Sequence, residues 1–225
     1  MNFLKVQGYI RTIPEIAEGV SVVKDFTFIY DYICPYCYLM FREVRKIGRK
    51  KDVRVGWVPV ELFPQTPPEG VLLEKAIGIR QKIKMEKTVD RLAKKQEIPY
   101  YQPSILYNTH LAGLLTDFVN MQTNGERTAE VIEELFNRVF VYNENIGEWN
   151  TLYKVCMNLA LDFEKFREAA AQPGLKNIHA AWKRQYAQRN MGALPVFFIG
   201  ENTMLQGLYM YEELENFIKS HSSSK

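Results

Sequence analysis

The sequence predicts an α/β fold in which a β-α-β unit and a β-β-α unit are separated by a long helical block. Three observations support this prediction. Apolar runs rich in aromatic and β-branched residues near both ends of the chain indicate short buried strands. Apolar residues at helical spacing fill the region between them, and a cluster of prolines marks the change. At 225 residues the chain can bury one core, with or without an insertion.

The first unit is predicted from three consecutive segments. A buried strand is expected over residues 25–31, an amphipathic helix over 35–48 and a second strand over 53–60. One face of the helix is apolar at the spacing of a core-facing stripe, through Cys37, Met40, Phe41, Val44 and Ile47. Residues 1–22 lack a strong period and are predicted to be an N-terminal extension.

The helical block begins after a boundary loop that contains Pro64, Pro67, Pro68 and Gly70. From about 71 to 190 the apolar residues recur with a helical period. Asn150 is predicted to be the N-cap of a helix that carries Leu152, Cys156, Leu159 and Ala160.

The second unit follows Gly192. A strand is expected over 194–199, a turn at Glu201-Asn202, a partner strand over 203–206 and a closing helix over 211–220. This order predicts a thioredoxin-like fold (βαβ…ββα) with a large helical insertion. The predicted domains are the N-terminal extension, a thioredoxin-like domain and an inserted helical domain, over residues 1–22, 23–66 with 192–220, and 67–191.

The motif Cys34-Pro35-Tyr36-Cys37 lies where the first strand meets the first helix. A dithiol at such a junction is the arrangement that a thiol–disulfide exchanger needs. The helix N-terminus carries partial positive charge and unpaired N–H donors, which favour a thiolate. Cys34 is therefore predicted to be the N-cap, and Pro35 falls at N1, where its missing N–H costs nothing.

The two cysteines are predicted to differ in exposure. Cys37 heads the apolar stripe and should be buried, whereas Cys34 precedes the first turn and should be accessible. Cys34 is therefore the expected nucleophile, and Cys37 the expected resolving thiol that breaks the mixed disulfide.

Two other interpretations of the CxxC motif remain. Zinc needs four ligands, but no second CxxC or closely spaced His pair occurs among the remaining Cys156, His110, His179 and His221. A structural disulfide would close a very short loop, which stabilises little. No metal is therefore predicted, and Cys156 is expected to be an inert core cysteine.

Composition limits the partners of the protein. The net charge of +3 does not indicate a nucleic-acid partner. No apolar stretch approaches a membrane span, and the first residues do not resemble a signal peptide. With three cysteines in all, the chain is expected to be cytoplasmic, where a CxxC pair is more often catalytic than structural.

Four segments occur in an order that resembles a known family: Asp31-x-x-Cys34-Pro35-Tyr36-Cys37-Tyr38, the Pro-rich stretch 61–70, Asn108-Thr109-His110 and the stretch 191–200 (MGALPVFFIG). Together they resemble the DsbA-family thioredoxin-fold oxidoreductases, in particular the FrnE-like branch, over roughly residues 24–220. The resemblance implies thiol or disulfide substrates, either proteins or small molecules. The sequence leaves the oligomeric state open.

The resemblance also implies roles around Pro195. From the residues alone, Pro195 is either an ordinary proline at a strand start or a cis-proline beside the dithiol. In the family the equivalent proline is cis and packs near the reactive sulfur. The Leu194 backbone is then expected to pair with the substrate chain, with Pro35 and Tyr36 also contacting substrate. Leu194 departs from the Val or Thr that many members have.

The family has glutathione-using relatives, namely the 2-hydroxychromene-2-carboxylate isomerases and kappa-class glutathione transferases. They typically have Ser where this chain has Cys34 and lack the second cysteine, so retention of both favours dithiol chemistry. No resident cofactor is predicted. The Pro35-Tyr36 pair is also that of glutaredoxin, which leaves glutathione as a conceivable redox partner. A glutathione-dependent isomerase or transferase and a zinc-held binding or chaperone module remain the alternative functions.

Three polar residues are candidates for supporting roles. Asp31 is expected either to relay protons to Cys37 and influence Cys34, or to cap the turn after the strand. His110 is expected to act in capping or packing, with a proton shuttle as the alternative. Glu61 is expected to be a solvated loop residue, with a place in the groove as the alternative.

Overall fold

The computed structural model describes residues 24–189, 191–200 and 203–221. The predicted extension over 1–22 and the predicted turn at Glu201-Asn202 lie outside the described residues. None of the helices in these three ranges combines the length and the apolar character needed to cross a bilayer.

The first unit has the predicted order and nearly the predicted bounds. Strand β1 (Lys24–Tyr30) leads into helix α1 (Pro35–Gly48), which is followed by strand β2 (Val53–Pro59). The helix begins where expected because Pro35 occupies its first turn, and its apolar stripe is buried. Strands β1 and β2 are parallel, as a β-α-β unit requires.

The second unit completes the sheet. Strand β5 (Val196–Ile199) pairs antiparallel with β1, and strand β6 (Thr203–Gln206) pairs antiparallel with β5. The strand order β2-β1-β5-β6 and the closing helix α9 (Tyr211–His221) confirm the thioredoxin-like α/β fold. Strand β5 begins two residues later than expected, since the Leu194-Pro195 segment precedes its paired residues.

Helices α1 and α9 pack against each other, and two backbone N–H groups at and just before the start of α9 contact side chains of α1. The backbone N–H of Tyr211 donates to Glu43 Oε2 over 3.0 Å, and that of Tyr209 contacts Met40 Sδ at 3.2 Å. Glu43 is only 3% exposed, so its carboxylate supplies a buried acceptor at the N-terminus of α9, where negative charge is favoured. These contacts attach the closing helix to the helix that carries the dithiol.

The inserted region contains seven helices and two short strands among the described residues. In chain order they are β3 (Val71–Leu72), α2 (Leu73–Ile77), α3 (Ile79–Lys95), β4 (Ile105–Leu106), α4 (His110–Thr123), α5 (Thr128–Phe140), α6 (Trp149–Asn158), α7 (Phe163–Ala171) and α8 (Pro173–Gln188). The β3–β4 pair was not predicted, because two residues per strand are too few to show a period.

The predicted start and end of α6 are wrong. The helix begins at Trp149 with Glu148, rather than Asn150, as its N-cap residue. The preceding turn is formed by Asn145, whose Oδ1 accepts from the Gly147 N–H at 2.9 Å, so the helix starts directly after it. Leu159 and Ala160 lie beyond the last turn, and Ala160 has a φ of 49°, a left-handed conformation that ends the helix.

One ring joins the insertion to the sheet. Phe136 of α5 is fully buried, and its ring lies 5.0–5.8 Å from the rings of Tyr30, Tyr32, Tyr38 and Phe41, which belong to β1, its following turn and α1. The insertion and the sheet therefore share one hydrophobic core. The predicted domain bounds at residues 67 and 191 stay predictions.

Candidate active site

The dithiol sits at the N-terminus of α1. Cys34 is the N-cap residue with an extended backbone (φ −85°, ψ 108°), and its carbonyl accepts the Tyr38 N–H at 3.2 Å. Its own N–H donates to the Asp31 carbonyl at 3.1 Å, which fixes the turn between β1 and the helix. The Cys34 side chain makes no capping hydrogen bond to the first turn of the helix, so its sulfur is available for other contacts.

The structure corrects the predicted accessibility of Cys34. This residue is only 7% exposed, whereas Cys37 is fully buried, and both are free thiols. The predicted order of exposure is kept, but Cys34 is a recessed group rather than an open one. Cys34 is recessed because the segment before β5 packs onto the start of α1. The periodicity of the helix contains no information about that distant segment.

That segment carries the cis peptide bond between Leu194 and Pro195, as the family resemblance implied. The Leu194 carbonyl oxygen lies 3.9 Å from Cys34 Sγ. Gln206 of β6 holds the segment in place, since its amide donates to the Met191 carbonyl at 2.8 Å and also to that of Ala193. Leu194 itself precedes the paired residues of β5.

Burial determines the acidity of Cys37. It raises the pKa of Cys37 well above its ordinary value, and the neighbouring Cys34 raises it further. A hydrogen bond with the Asp31 backbone acts in the opposite direction. Cys37 is therefore held as a neutral thiol directly beneath the more exposed sulfur.

Asp31 is a fully buried carboxylate at the end of β1. Its Oδ2 accepts the Leu62 N–H at 2.6 Å, and its Oδ1 accepts the Ile33 N–H at 3.4 Å. The second bond is the turn cap that was one of the two predicted roles. Burial raises the pKa of Asp31 to about 6, despite hydrogen bonds from Leu62, Thr109 and Ile33 that lower it.

Tyrosine side chains lie around the dithiol. Tyr36 of the motif is half-buried, and burial followed by the charge of Cys34 raises its pKa. Tyr100 and Tyr186 come from the insertion, and burial raises the pKa of both. The largest further contributions come from Glu86 and Asp90 for Tyr100 and from Cys37 for Tyr186, with a smaller one from Cys34 in each. Tyr186 also donates from its hydroxyl to the Gly192 carbonyl at 2.5 Å. Sequence reasoning missed Tyr100 and Tyr186, because isolated tyrosines in a helical block carry no local signal.

Glu61 lies against His110 rather than in solvent. The side chain of Glu61 is 4% exposed, so the expected solvated loop position is wrong. Its Oε1 contacts His110 Nδ1 at 2.9 Å, His179 Nε2 at 3.1 Å and Lys183 Nζ at 2.9 Å. His110 is the first residue of α4, and its N–H donates to Asn108 Oδ1 at 2.8 Å. The role expected for its side chain stays a prediction.

The charges of this group are strongly coupled. Burial alone would raise the pKa of Glu61, but hydrogen bonds from the two histidines and Lys183 hold it well below its usual range. Burial disfavours charge on His179, yet its bonds to Asp117 and Glu61 raise the pKa to about 9. Asp117 Oδ2 lies 2.8 Å from His179 Nδ1, and burial raises the pKa of this carboxyl.

The third cysteine, Cys156, lies apart from the dithiol, in the hydrophobic core. Cys156 is fully buried, and burial raises its pKa to about 11, which agrees with an inert core thiol.

Within residues 24–189, 191–200 and 203–221, the His, Cys and acidic side chains that converge in groups of three or more do not include Cys34 or Cys37. The two further ligands that a zinc-held CxxC would need are therefore not found in that part of the chain.

Comparison with known proteins agrees with this geometry. A family model described as DSBA-like thioredoxin domain matches residues 26–219. The chain is 25% identical over 198 residues to Uncharacterized protein YwbO of Bacillus subtilis (strain 168), which covers 87% of this chain and 96% of YwbO.

Solved structures share the fold at low sequence identity. A probable DsbA oxidoreductase from Streptomyces coelicolor superposes with a TM-score of 0.73 and 15% identity, covering 90% of this chain and 91% of that one. The cytosolic disulfide reductase DsbM from Pseudomonas aeruginosa has a TM-score of 0.67 and 14% identity, covering 88% and 98%. DsbM was also solved with GSH.

Proposed function

Because the chain belongs to the DSBA-like thioredoxin domain family, we propose that it is a thiol–disulfide oxidoreductase that works through Cys34 and Cys37. The observation that carries this proposal is the presence of two free thiols of different burial at one helix N-terminus. The Cys34 sulfur lies next to the Leu194 carbonyl, and Cys37 is fully buried. We further propose that the protein belongs to the FrnE-like branch, as its motifs suggest.

In the reductive direction, the Cys34 thiolate attacks one sulfur of a substrate disulfide. The substrate S–S bond breaks, a mixed disulfide forms through Cys34, and the other substrate sulfur leaves as a thiolate. Cys37 then loses its proton and attacks the Cys34 sulfur. A Cys34–Cys37 disulfide forms and the second substrate thiol is released. The substrate gains two electrons and the dithiol loses two. The reverse sequence oxidises a dithiol substrate.

The second step needs a proton acceptor, because Cys37 is held neutral by burial. Asp31 is the buried acid whose charge acts on Cys37, and its pKa of about 6 leaves it mostly ionised near neutral pH. We assign to Asp31 the role of receiving the Cys37 proton during resolution. Its hydrogen bonds to Ile33 and Leu62 hold the carboxylate in place for this transfer.

The substrate is held by the segment that covers Cys34. Leu194 lies outside the paired residues of the sheet and next to the reactive sulfur, so its backbone can align an extended substrate chain. Pro35 and Tyr36 form the helix side of this contact, and Pro195 fixes the approach of Leu194. Tyr100 and Tyr186 supply aromatic surface from the insertion.

Glutathione is the proposed small-molecule redox partner. The fold is shared with DsbM, a protein solved with GSH and described as cytosolic. The low cysteine content of this chain agrees with a cytoplasmic location, where glutathione is the main thiol. The alternative, a glutathione-dependent isomerase or transferase, does not use a second thiol and leaves Cys37 without a role.

The proposal is tested by reduction of insulin by the full chain and three variants. Cys34→Ser is expected to abolish the activity, and Cys37→Ser is expected to accumulate mixed disulfides that are visible on non-reducing gels. Cys156→Ser serves as the matched control, since that thiol lies in the core. Full activity of Cys34→Ser would contradict the assignment.

A further inference from the structure

Three side chains converge outside the dithiol, and we name them the His–Glu cluster: Glu61, His110 and His179. Glu61 Oε1 lies 2.9 Å from His110 Nδ1 and 3.1 Å from His179 Nε2. The three ligand-type atoms all lie within 4.8 Å of one another. They come from the segment after β2 and from helices α4 and α8, so the packing of the insertion on the sheet brings them together.

The cluster is supported by a second layer. Asp117 Oδ2 lies 2.8 Å from His179 Nδ1, which orients the ring so that Nε2 faces the cluster. His179 is 1% exposed, and the side chain of Asp117 is 3% exposed. Gly113 leaves the room that the ring occupies, because a Cβ atom there would overlap the imidazole. A carboxylate behind a histidine is the usual support of a metal-ligating imidazole.

We propose that the His–Glu cluster binds a divalent transition-metal ion of the zinc class, with His110 Nδ1, His179 Nε2 and Glu61 Oε1 as the protein ligands. Two imidazoles and one carboxylate form a known zinc donor set, which leaves a fourth position open. Binding displaces the protons that these nitrogens share with Glu61, and those protons are released to solvent. No electron transfer is involved.

Two of the three ligand-to-ligand distances are close to those found around a bound ion. Ligand atoms about 2.0–2.2 Å from a tetrahedral zinc lie about 3.3–3.5 Å apart. The two imidazole-to-carboxylate distances are a few tenths of an ångström shorter, so a small outward movement of the side chains admits the ion. His110 has the freedom to make it, since its side chain is 39% exposed.

His110 is the ligand of the cluster that meets a surface cavity. It lines a cavity of about 800 Å³ together with Leu114, Trp149 and Phe163. A metal site needs an entry path, and we place that path on this side of the cluster, at His110.

Lys183 is the competitor for Glu61. Its Nζ contacts Glu61 Oε1 at 2.9 Å, and its side chain is 31% exposed, so it can swing into solvent when a cation binds. This contact separates the proposal from a purely structural ion-pair cluster. In an ion-pair cluster, removing Lys183 only weakens the site, whereas in a metal site it removes a positive charge that opposes the ion.

The test measures Zn²⁺ binding calorimetrically to the full chain carrying Cys34→Ser and Cys37→Ser, so that the dithiol cannot bind the ion. This background also keeps the result separate from the proposed redox function. One Zn²⁺ per chain is expected to bind. Adding His110→Gln should lower the affinity at least about tenfold, and adding Asp117→Asn should lower it about 10–100-fold. His221→Gln, on the exposed end of α9, is the matched control and should leave the affinity unchanged.

Lys183→Ala gives the opposite sign and should raise the Zn²⁺ affinity roughly tenfold. Co²⁺ in place of Zn²⁺ should give visible absorption bands that His110→Gln abolishes. His110 is the ligand chosen for substitution because it is partly exposed, whereas a change at the buried His179 could prevent folding. The proposal is overturned by absence of binding at a zinc excess, by equal affinity of the background and His110→Gln, or by a lower affinity in Lys183→Ala.

Discussion

Cys34 Sγ lies 3.9 Å from the carbonyl oxygen of Leu194, although 160 residues separate the two in the chain. This contact brings the first β-α unit and the segment before β5 to one point. It explains why Cys34 is recessed while remaining the more exposed of the two thiols. A substrate that approaches the sulfur passes this segment, which is why the Leu194 backbone is part of the proposed binding surface.

Asp31→Asn tests the proposed path of the proton from Cys37. Removing a positioned base should slow resolution of the mixed disulfide about 100-fold or more at pH 7. In the wild type the rate of resolution should rise as the pH passes through about 6, where Asp31 ionises, and the variant should lack this rise. Stopped-flow measurement of mixed-disulfide decay provides both readouts.

Asp25→Asn is the matched control for that variant. Asp25 also lies in β1, but it is partly exposed and pairs with Arg54. The Asp25→Asn variant should resolve the mixed disulfide at the rate of the wild type. A normal rate and an unchanged pH profile in Asp31→Asn would remove Asp31 from the mechanism and leave it as a turn cap.

The same carboxyl should also make stability depend on pH. The pKa of Asp31 rises from 3.8 to about 6 on folding, so the folded state binds more protons between these values. Its contribution to the free energy of unfolding therefore falls as pH rises through that window, by about 3 kcal/mol in all, and is constant above it. The titratable groups that face Asp31 are Tyr32, Cys37, Glu61 and Tyr186.

Urea unfolding of the wild type and Asp31→Asn at several pH values measures this contribution. The unfolding free energy of the wild type should fall relative to that of the variant as the pH rises from 4 to 6. Parallel curves over that interval would mean that the native carboxyl titrates as it does in the unfolded chain.

Phe136→Ala tests the junction between the insertion and the sheet. Phe136 is fully buried among rings from β1, its following turn and α1, so its truncation should cost about 3–5 kcal/mol of unfolding free energy. Met157→Ala, at a 56% exposed helical position, is the control and should change stability by less than about 0.5 kcal/mol. Chemical denaturation followed by circular dichroism compares them, and similar midpoints for the two variants would contradict the shared core.

A pair of glycine substitutions tests the seat of His179. At Gly113 a new methyl group overlaps the His179 ring, so Gly113→Ala should destabilise the protein by about 1–3 kcal/mol in spite of its better helix propensity. At Gly174, also helical, no neighbouring atom lies within 4 Å, and Gly174→Ala should stabilise by about 0.4–1 kcal/mol. Thermal unfolding distinguishes them, and the same sign for both would show that the ring is not seated as described.

Sequence reasoning succeeded where the signal is local. Helix α1 was predicted with its correct bounds because Pro35 marks its first turn and the stripe from Cys37 to Ile47 has a helical period. The strands of the sheet were found within two residues for the same reason. The strand pair β3–β4 was missed, since two residues cannot display a period.

The contacts that depend on distant segments could not be predicted. The partners of Glu61 lie 49 and 118 residues away, and Asp117 lies 62 residues from His179. Spacing along the chain contains no information on such convergence, so Glu61 was expected in solvent. The burial of Cys34 was missed for the same reason, because it is caused by Leu194.

The most direct test of the central claim is the order in which the cysteines are alkylated. The reduced native protein is treated with limiting iodoacetamide at neutral pH, and the modified sites are identified by mass spectrometry. Cys34 should be labelled first, while Cys37 and Cys156 should become labelled only after unfolding, because burial raises the pKa of both. Faster labelling of Cys37 than of Cys34 would contradict the account.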